Sequence, residues 1–335
     1  MASPSKRSKY FDNAKFILIF LVVFGHVISP LKEKDGVLFT IYTFIYLFHM
    51  PAFIFISGYF SKGFKKKGYI QKTVKKILLP YFIFQILYSV FYFLSGKEET
   101  LHFDLFQPHW TLWFLLSLFC WNCMLYLFAR LKWKGVAAAF FIGIIVGYID
   151  QIGSFLSLSR TFVFFPYFLI GFLINGEQLK RIIKNNYSLP IGIVVIAATF
   201  FFFNHGFPDN AVPWLLGDRS YTAMGIDHLG AGLYRGLQYI LTIIVIFGFL
   251  TFIPSIHLKL TKIGERTLYI YLFHGFIIKS LSTFIPKKGL SVISDQYLLL
   301  VCFSFIVCLF LGSYIVKKFT KPIVEPNLSY STGGH

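Results

Sequence analysis

The sequence predicts an all-α polytopic membrane protein, a bundle of about ten transmembrane helices with both termini cytoplasmic. Three observations carry that prediction. Of the 335 residues, 56% are apolar and only 14% charged, with a mean hydropathy of +0.67; a water-facing domain needs about a quarter charged residues. The apolar residues are gathered in runs separated by basic or polar punctuation. Ten stretches of about 20 residues, the length that spans a bilayer, consume most of such a chain. A soluble enzyme, a disordered chain and a disulfide scaffold are excluded on these grounds.

The first run, 14–31, follows Lys6, Arg7, Lys9 and Lys15, as a signal peptide would. It ends in Ser29-Pro30-Leu31-Lys32 with no small-residue cleavage site, so it reads as an uncleaved anchor. The second, 37–60, stops at the densest charge in the chain: Lys62, Lys65, Lys66, Lys67, Lys72, Lys75 and Lys76. Runs at 77–95 and 110–129 come next. The three that follow, 136–150, 162–175 and 189–203, are short and fit tilted, bent or partly re-entrant helices. A stretch from Asn204 to Leu233, rich in Gly, Asp and aromatics, precedes 234–252, and 267–285 and 296–316 complete the set. Tails 1–13 and 317–335 flank a single bundle, with no soluble domain expected at either end.

Charge sets the orientation. With the amino terminus inside, 23 of the 32 Lys and Arg fall in cytoplasmic segments, which is the positive-inside pattern. An even number of spans returns the carboxyl terminus to the same side. The net charge of +18 also suits a nucleic-acid binder, but its clustering beside apolar runs argues against that partner. Cys120, Cys123, Cys302 and Cys308 lie within apolar runs, where thiols serve as small hydrophobes.

Ionisable groups at membrane depth are expensive and therefore candidates for function. His26, His49 and His274 fall within runs one, two and nine; Asp150, Arg160 and Arg235 lie near outer helix ends. Lys15 and His26 are 11 residues apart, which puts them on one helix face about 16 Å apart. His49 lies at similar depth on the antiparallel neighbour. One such histidine is as readily a helix-to-helix hydrogen bond; two at matched depth favour chemistry. No carboxylate accompanies them for an Asp-His-Ser relay, and the ligand spacing of a zinc site is missing, so no metal is expected. The lysine loop suits anionic lipid or a cytosolic polyphosphate ligand. No Walker or Rossmann glycine pattern accompanies it.

These residues resemble the membrane-bound acyltransferase 3 family. Asp12-Asn13-Ala14-Lys15 with Val23-Phe24-Gly25-His26 is similar to its opening, a basic residue, ten residues, then His. Phe48-His49-Met50-Pro51-Ala52-Phe53 and Ile56-Ser57-Gly58-Tyr59-Phe60 are similar to its second helix. Lys72 through Pro80-Tyr81, Leu112-Trp113-Phe114 and Tyr271-Leu272-Phe273-His274 fit later landmarks. Ser159-Arg160-Thr161 with Phe165 to Gly171 resembles the fucose 4-O-acetylase-like branch. The resemblance implies transfer of an acyl group, usually acetyl, from cytoplasmic acetyl-CoA to a carbohydrate hydroxyl on the outer side. Acetyl-CoA is then a donor substrate, with no permanently bound cofactor. His26 is the expected base or nucleophile and His49 its assistant. Lys15, Lys72, Lys75 and Lys76 would hold CoA phosphates. Arg160, Arg235 and His274 fall to the acceptor side, facing a carbohydrate or lipid-linked sugar, and Trp214 and Tyr221 could stack on a sugar ring. Lys15, Lys72 and Lys75 stand where many members have Arg, which keeps charge but loses the bidentate fork. Some relatives carry a fused extracytoplasmic hydrolase-like domain; without it the chain delivers directly or through a separate extracytoplasmic transferase. The expected home is a bacterial plasma membrane. The rival reading is a glycan transporter or flippase without acyl transfer, against which the lack of an internal repeat counts.

Overall fold

The computed structural model describes residues 8–153, 155–284 and 293–326. Lys6 and Arg7 of the first basic cluster, and the tail beyond Pro326, lie outside them. Among the described residues every regular element is helical. Seven helices are long and apolar enough to cross a membrane, and eight if a bent pair near the carboxyl end counts as one span.

Each of the ten expected runs coincides with a helix. These are α1 (Lys9–Ile28), α2 (Gly36–Phe60), α3 (Tyr69–Leu94), α4 (Trp113–Phe128) and α5 (Lys132–Ile145). They continue as α6 (Leu158–Leu173), α8 (Ser188–Gly206), α9 (Ala231–Thr251), α10 (Thr267–Phe284) and α11 (Tyr297–Leu311), with a short amphipathic α7 (Gly176–Ile183) between α6 and α8. Beyond α11 the chain bends by 64° into α12 (Tyr314–Val324). The seventh run, expected to be short, forms a full 19-residue helix.

Helices α4 and α5 are one continuous 36-residue stretch by length and composition, and a straight helix of that length would extend about 54 Å. Yet both ends meet the same segment. Trp113 packs on Arg160, which pairs with Asp218, and the Gly147 carbonyl accepts the Tyr221 N–H at 2.6 Å. The chain therefore doubles back, and it does so at Lys132, whose φ of 51° breaks the helix after a single 3₁₀ turn.

In apolar surroundings polar side chains need partners within the protein, and several find them in their own helix. In α2 the Asp35 carboxylate caps the Leu38 N–H at 2.8 Å, and the hydroxyls of Thr40, Thr43 and Ser57 donate to carbonyls four residues back. Helices α2 and α6 form the tightest pair, running in the same direction through two matched Phe-x-x-Gly steps. A Cβ on Gly58 would collide with the Phe168 backbone, and one on Gly171 with the Phe55 backbone. Small residues let the two backbones touch, the usual device where lipid offers no hydrophobic drive. At the end of this pair Lys62 Nζ donates to the Ile174 carbonyl at 2.5 Å.

The basic segments converge on one end of the bundle. Lys9, Lys180 and Lys184 border one cleft there, and Lys72, Lys75, Lys76 and Lys321 another. Asn13 joins this assembly by donating to the carbonyls of Pro254 and Ile256. Residues 29–35, 95–112 and 207–230 lie toward the opposite end.

Candidate active site

His26 comes from α1, one residue after Gly25, whose missing side chain allows the Tyr46 ring of α2 to approach; a Cβ there would sit 3.0 Å from that ring. Tyr46 uses the opening, its hydroxyl lying 3.1 Å from His26 Nδ1. The same ring packs edge-on against His49 at 4.9 Å, so Tyr46 stands between the two imidazoles. His49 is buried, and its Nδ1 donates to the Ile45 carbonyl at 2.7 Å.

His274 of α10 belongs to the same cluster rather than apart from it: its ring lies 5.4 Å from that of His26. Its Nδ1 is held by the carbonyls of Tyr271 and Ile270 at 2.7 and 3.1 Å. A carbonyl can only accept, so in both His49 and His274 Nδ1 carries a proton, and in the neutral ring Nε2 keeps the lone pair. Among the described residues His274 Nε2 is buried without a protein partner, as is Thr111 Oγ1 beside the cavity. Orphaned buried polar atoms are costly.

Trp110 completes the cluster. Its indole lies 4.4 Å from His26 and 6.0 Å from His274, and Lys279 Nζ stands 4.3 Å over it. The residue adopts φ 27°, a strained conformation for a side chain of this size. The hydroxyl of Tyr271 donates to the Thr111 carbonyl and fixes this turn to α10.

These residues enclose a cavity of about 260 Å³, bordered by His26, Tyr46, His49, Trp110, Arg160 and Tyr271. Arg160 closes it from α6. The guanidinium stacks 5.0 Å over Trp113, pairs with Asp218 at 2.8 Å, and donates to the Leu216 carbonyl. Arg235 does not reach the cavity. It is buried elsewhere, donating to the Trp214 carbonyl and Gln238 at 2.8 and 2.6 Å. Trp214 and Tyr221, expected as sugar platforms, stack on one another at 5.2 Å and pack the loop instead.

A second cavity, about 940 Å³, opens at the basic end. Lys72, Lys75 and Lys76 border it, the latter two on a π-helical turn at Val74–Leu78, a local widening found often at functional sites. Lys15 is not among its lining residues; it pairs with Asp12 at 2.7 Å and stands 5.5 Å over Phe60. The two cavities approach one another along α10, where Leu268 lines one and Tyr271, one turn later, the other. Among the described residues no cluster of His, Cys, Asp and Glu could hold a metal.

Sequence reasoning missed Tyr46, Trp110, Asp218 and Lys321. Tyr46 carried a signal, three residues before His49 and hence on its face. Asp218 and Lys321 carried none, because their partners are distant in the chain.

A family model described as an acyltransferase domain matches residues 8–316. Two curated relatives are both called nodulation protein NolL. The one from Sinorhizobium fredii (strain NBRC 101917 / NGR234) is 29% identical over 219 residues, covering 60% of this chain and 58% of the relative. The one from Mesorhizobium japonicum is 29% identical over 187 residues, covering 51% and 49%. The chain thus spans about half the length of the curated relatives it matches. No solved structure matches.

Proposed function

The chain belongs to the membrane-bound acyltransferase 3 family, and on that premise we propose that it moves an acetyl group from cytoplasmic acetyl-CoA to a hydroxyl of an extracytoplasmic or lipid-linked carbohydrate. In this reading it crosses a bacterial plasma membrane ten times with the basic end in the cytoplasm. The observation that supports the reading is a cavity lined by His26 and His49 from two helices, with the His274 ring packed 5.4 Å from that of His26, one helical turn along α10 from a lysine-bordered cavity.

The donor's phosphates lie among Lys72, Lys75 and Lys76, which bind as point charges, and the thioester reaches up toward His26. With its Nδ1–H donated to the Tyr46 oxygen, His26 offers the lone pair of Nε2 as base. The acceptor hydroxyl loses its proton to that nitrogen as its oxygen bonds to the acyl carbon. The carbon–sulfur bond then breaks and the proton passes to the departing CoA thiolate. His49, with Nε2 free of a proton, presents a further acceptor on the same cavity, and His274 packs beside His26. Arg160, already fixed by Asp218, orients the acceptor from the far side. Its planar fork suits a sugar carboxylate or diphosphate as well as a hydroxyl.

The test is acetate released by mild base from surface glycans of cells carrying the chain or its His26→Ala variant. Acetylation is expected only with the unaltered chain. Equal acetate in both removes His26 from the chemistry, and transport of glycan without acetyl-CoA consumption by the purified protein would replace the enzyme reading with a flippase.

A further inference from the structure

The lysine-bordered cavity is not built only from residues that the family model matches. That model ends at residue 316, yet Lys321, Val324, Glu325 and Pro326 form part of the wall. All four come from the last described helix, α12, or the two residues after it.

Helix α12 is held over the cavity at both ends. Where it leaves α11, the Ser313 hydroxyl caps the Val316 N–H at 3.2 Å, and Arg266 donates to the Gly312 carbonyl at 3.1 Å. At the other end Tyr269 of α10 donates its hydroxyl to Glu325 at 2.9 Å, and Val324 is fully buried. Between these anchors Tyr314, Ile315 and Phe319 point their apolar side chains outward, as a helix lying along a membrane surface does. Its lysines are thereby sorted: Lys321 borders the cavity, whereas Lys317 and Lys318 do not. Lys321 adds a fourth ammonium to Lys72, Lys75 and Lys76. Glu325, the one carboxylate in the wall among the described residues, is engaged by Tyr269. Among the described residues, Lys72, Lys76 and Lys321 around about 940 Å³ suit a ligand with several negative charges.

We infer that α12 closes the donor cavity and that Lys321 binds a phosphate of the CoA donor, so that the chain selects nucleotide-bearing thioesters over phosphate-free ones. This rests on the donor reading given above. The experiment measures binding of CoA and of S-acetylpantetheine, which has no phosphate, to the purified full chain in nanodiscs. It compares the unaltered protein with Lys321→Ala, Lys321→Arg, Lys317→Ala and Lys72→Ala. A charge-assisted contact at an exposed site predicts about a tenfold loss of CoA affinity for Lys321→Ala. Lys321→Arg should stay within about threefold and Lys317→Ala within about twofold, since neither removes a charge from the cavity wall. S-acetylpantetheine binding should not change in any variant. Three results overturn the inference: unchanged CoA affinity in Lys321→Ala, an equal loss in Lys317→Ala, or an equal loss for S-acetylpantetheine. If Lys72→Ala weakens CoA binding while Lys321→Ala does not, the donor reading stands and this inference falls. If the unaltered chain binds no CoA, both fall together.

Discussion

The two cavities are built on opposite principles. Around His26 three polar groups are placed by partners distant in the sequence, Tyr46 on His26, Arg160 on Asp218 and Tyr271 on the Thr111 carbonyl, while His49 and His274 are held by carbonyls of their own helices. At the basic end Lys72, Lys76 and Lys321 are exposed side chains that offer charge without fixed geometry. Bond-making needs atoms held to within a fraction of an ångström, whereas holding a polyphosphate needs only a sum of positive potential. The difference teaches that a change in the first region should act on turnover and a change in the second on donor affinity.

The sharpest way to break that division is His26→Ala. Loss of a general base costs about 10²- to 10⁴-fold in kcat, while CoA binding should be unchanged; a matching loss of CoA affinity would merge the two regions into one. Arg160→Gln comes next. It leaves Asp218 partly buried with only Arg219, at 3.8 Å, as a cation, a defect of about 1–2 kcal/mol readable as a lowered Tm of the detergent-solubilised protein. The Arg160→Gln/Asp218→Asn double variant should recover part of that loss, and an additive double variant would show that the pair is not coupled.

A smaller effect is expected from Tyr46→Phe, which removes one hydrogen bond to His26 and keeps the ring. About a tenfold fall in kcat at constant KM for acetyl-CoA is expected. Should KM change instead, Tyr46 serves the donor. The mildest change belongs to Lys76 taken singly. Lys76→Ala should raise KM for acetyl-CoA about threefold at low salt and less at high ionic strength, because exposed charges are screened. A salt-independent effect would mean a fixed contact of the kind seen around His26.

The same contrast explains what could be read in advance. Alternation of apolar runs with lysines locates helices wherever the chain obeys the bilayer, so each expected run has its helix. The turn at Lys132 was signalled by Arg130, Lys132 and Lys134. Histidines at membrane depth stand out because apolar surroundings make them rare, which is why His26, His49 and His274 could be singled out. Their grouping could not. Depth along α1 and α2 follows from counting residues, but the approach of α10 to α1 is a matter of packing that hydropathy does not encode. Asp218 sits in an irregular loop among other polar residues, with nothing local to distinguish it from Asp209 or Asp227. Arg235 shows the converse: an arginine near a helix end looks like a ligand holder, and here it ties Trp214 and Gln238 together.

The crowding of basic segments at a single pole also has an electrical meaning. Carrying one elementary charge across a membrane polarised by 100 mV takes about 2.3 kcal/mol, and several lysines would have to travel together for the molecule to turn over. An orientation acquired at insertion is then kept for the protein's lifetime.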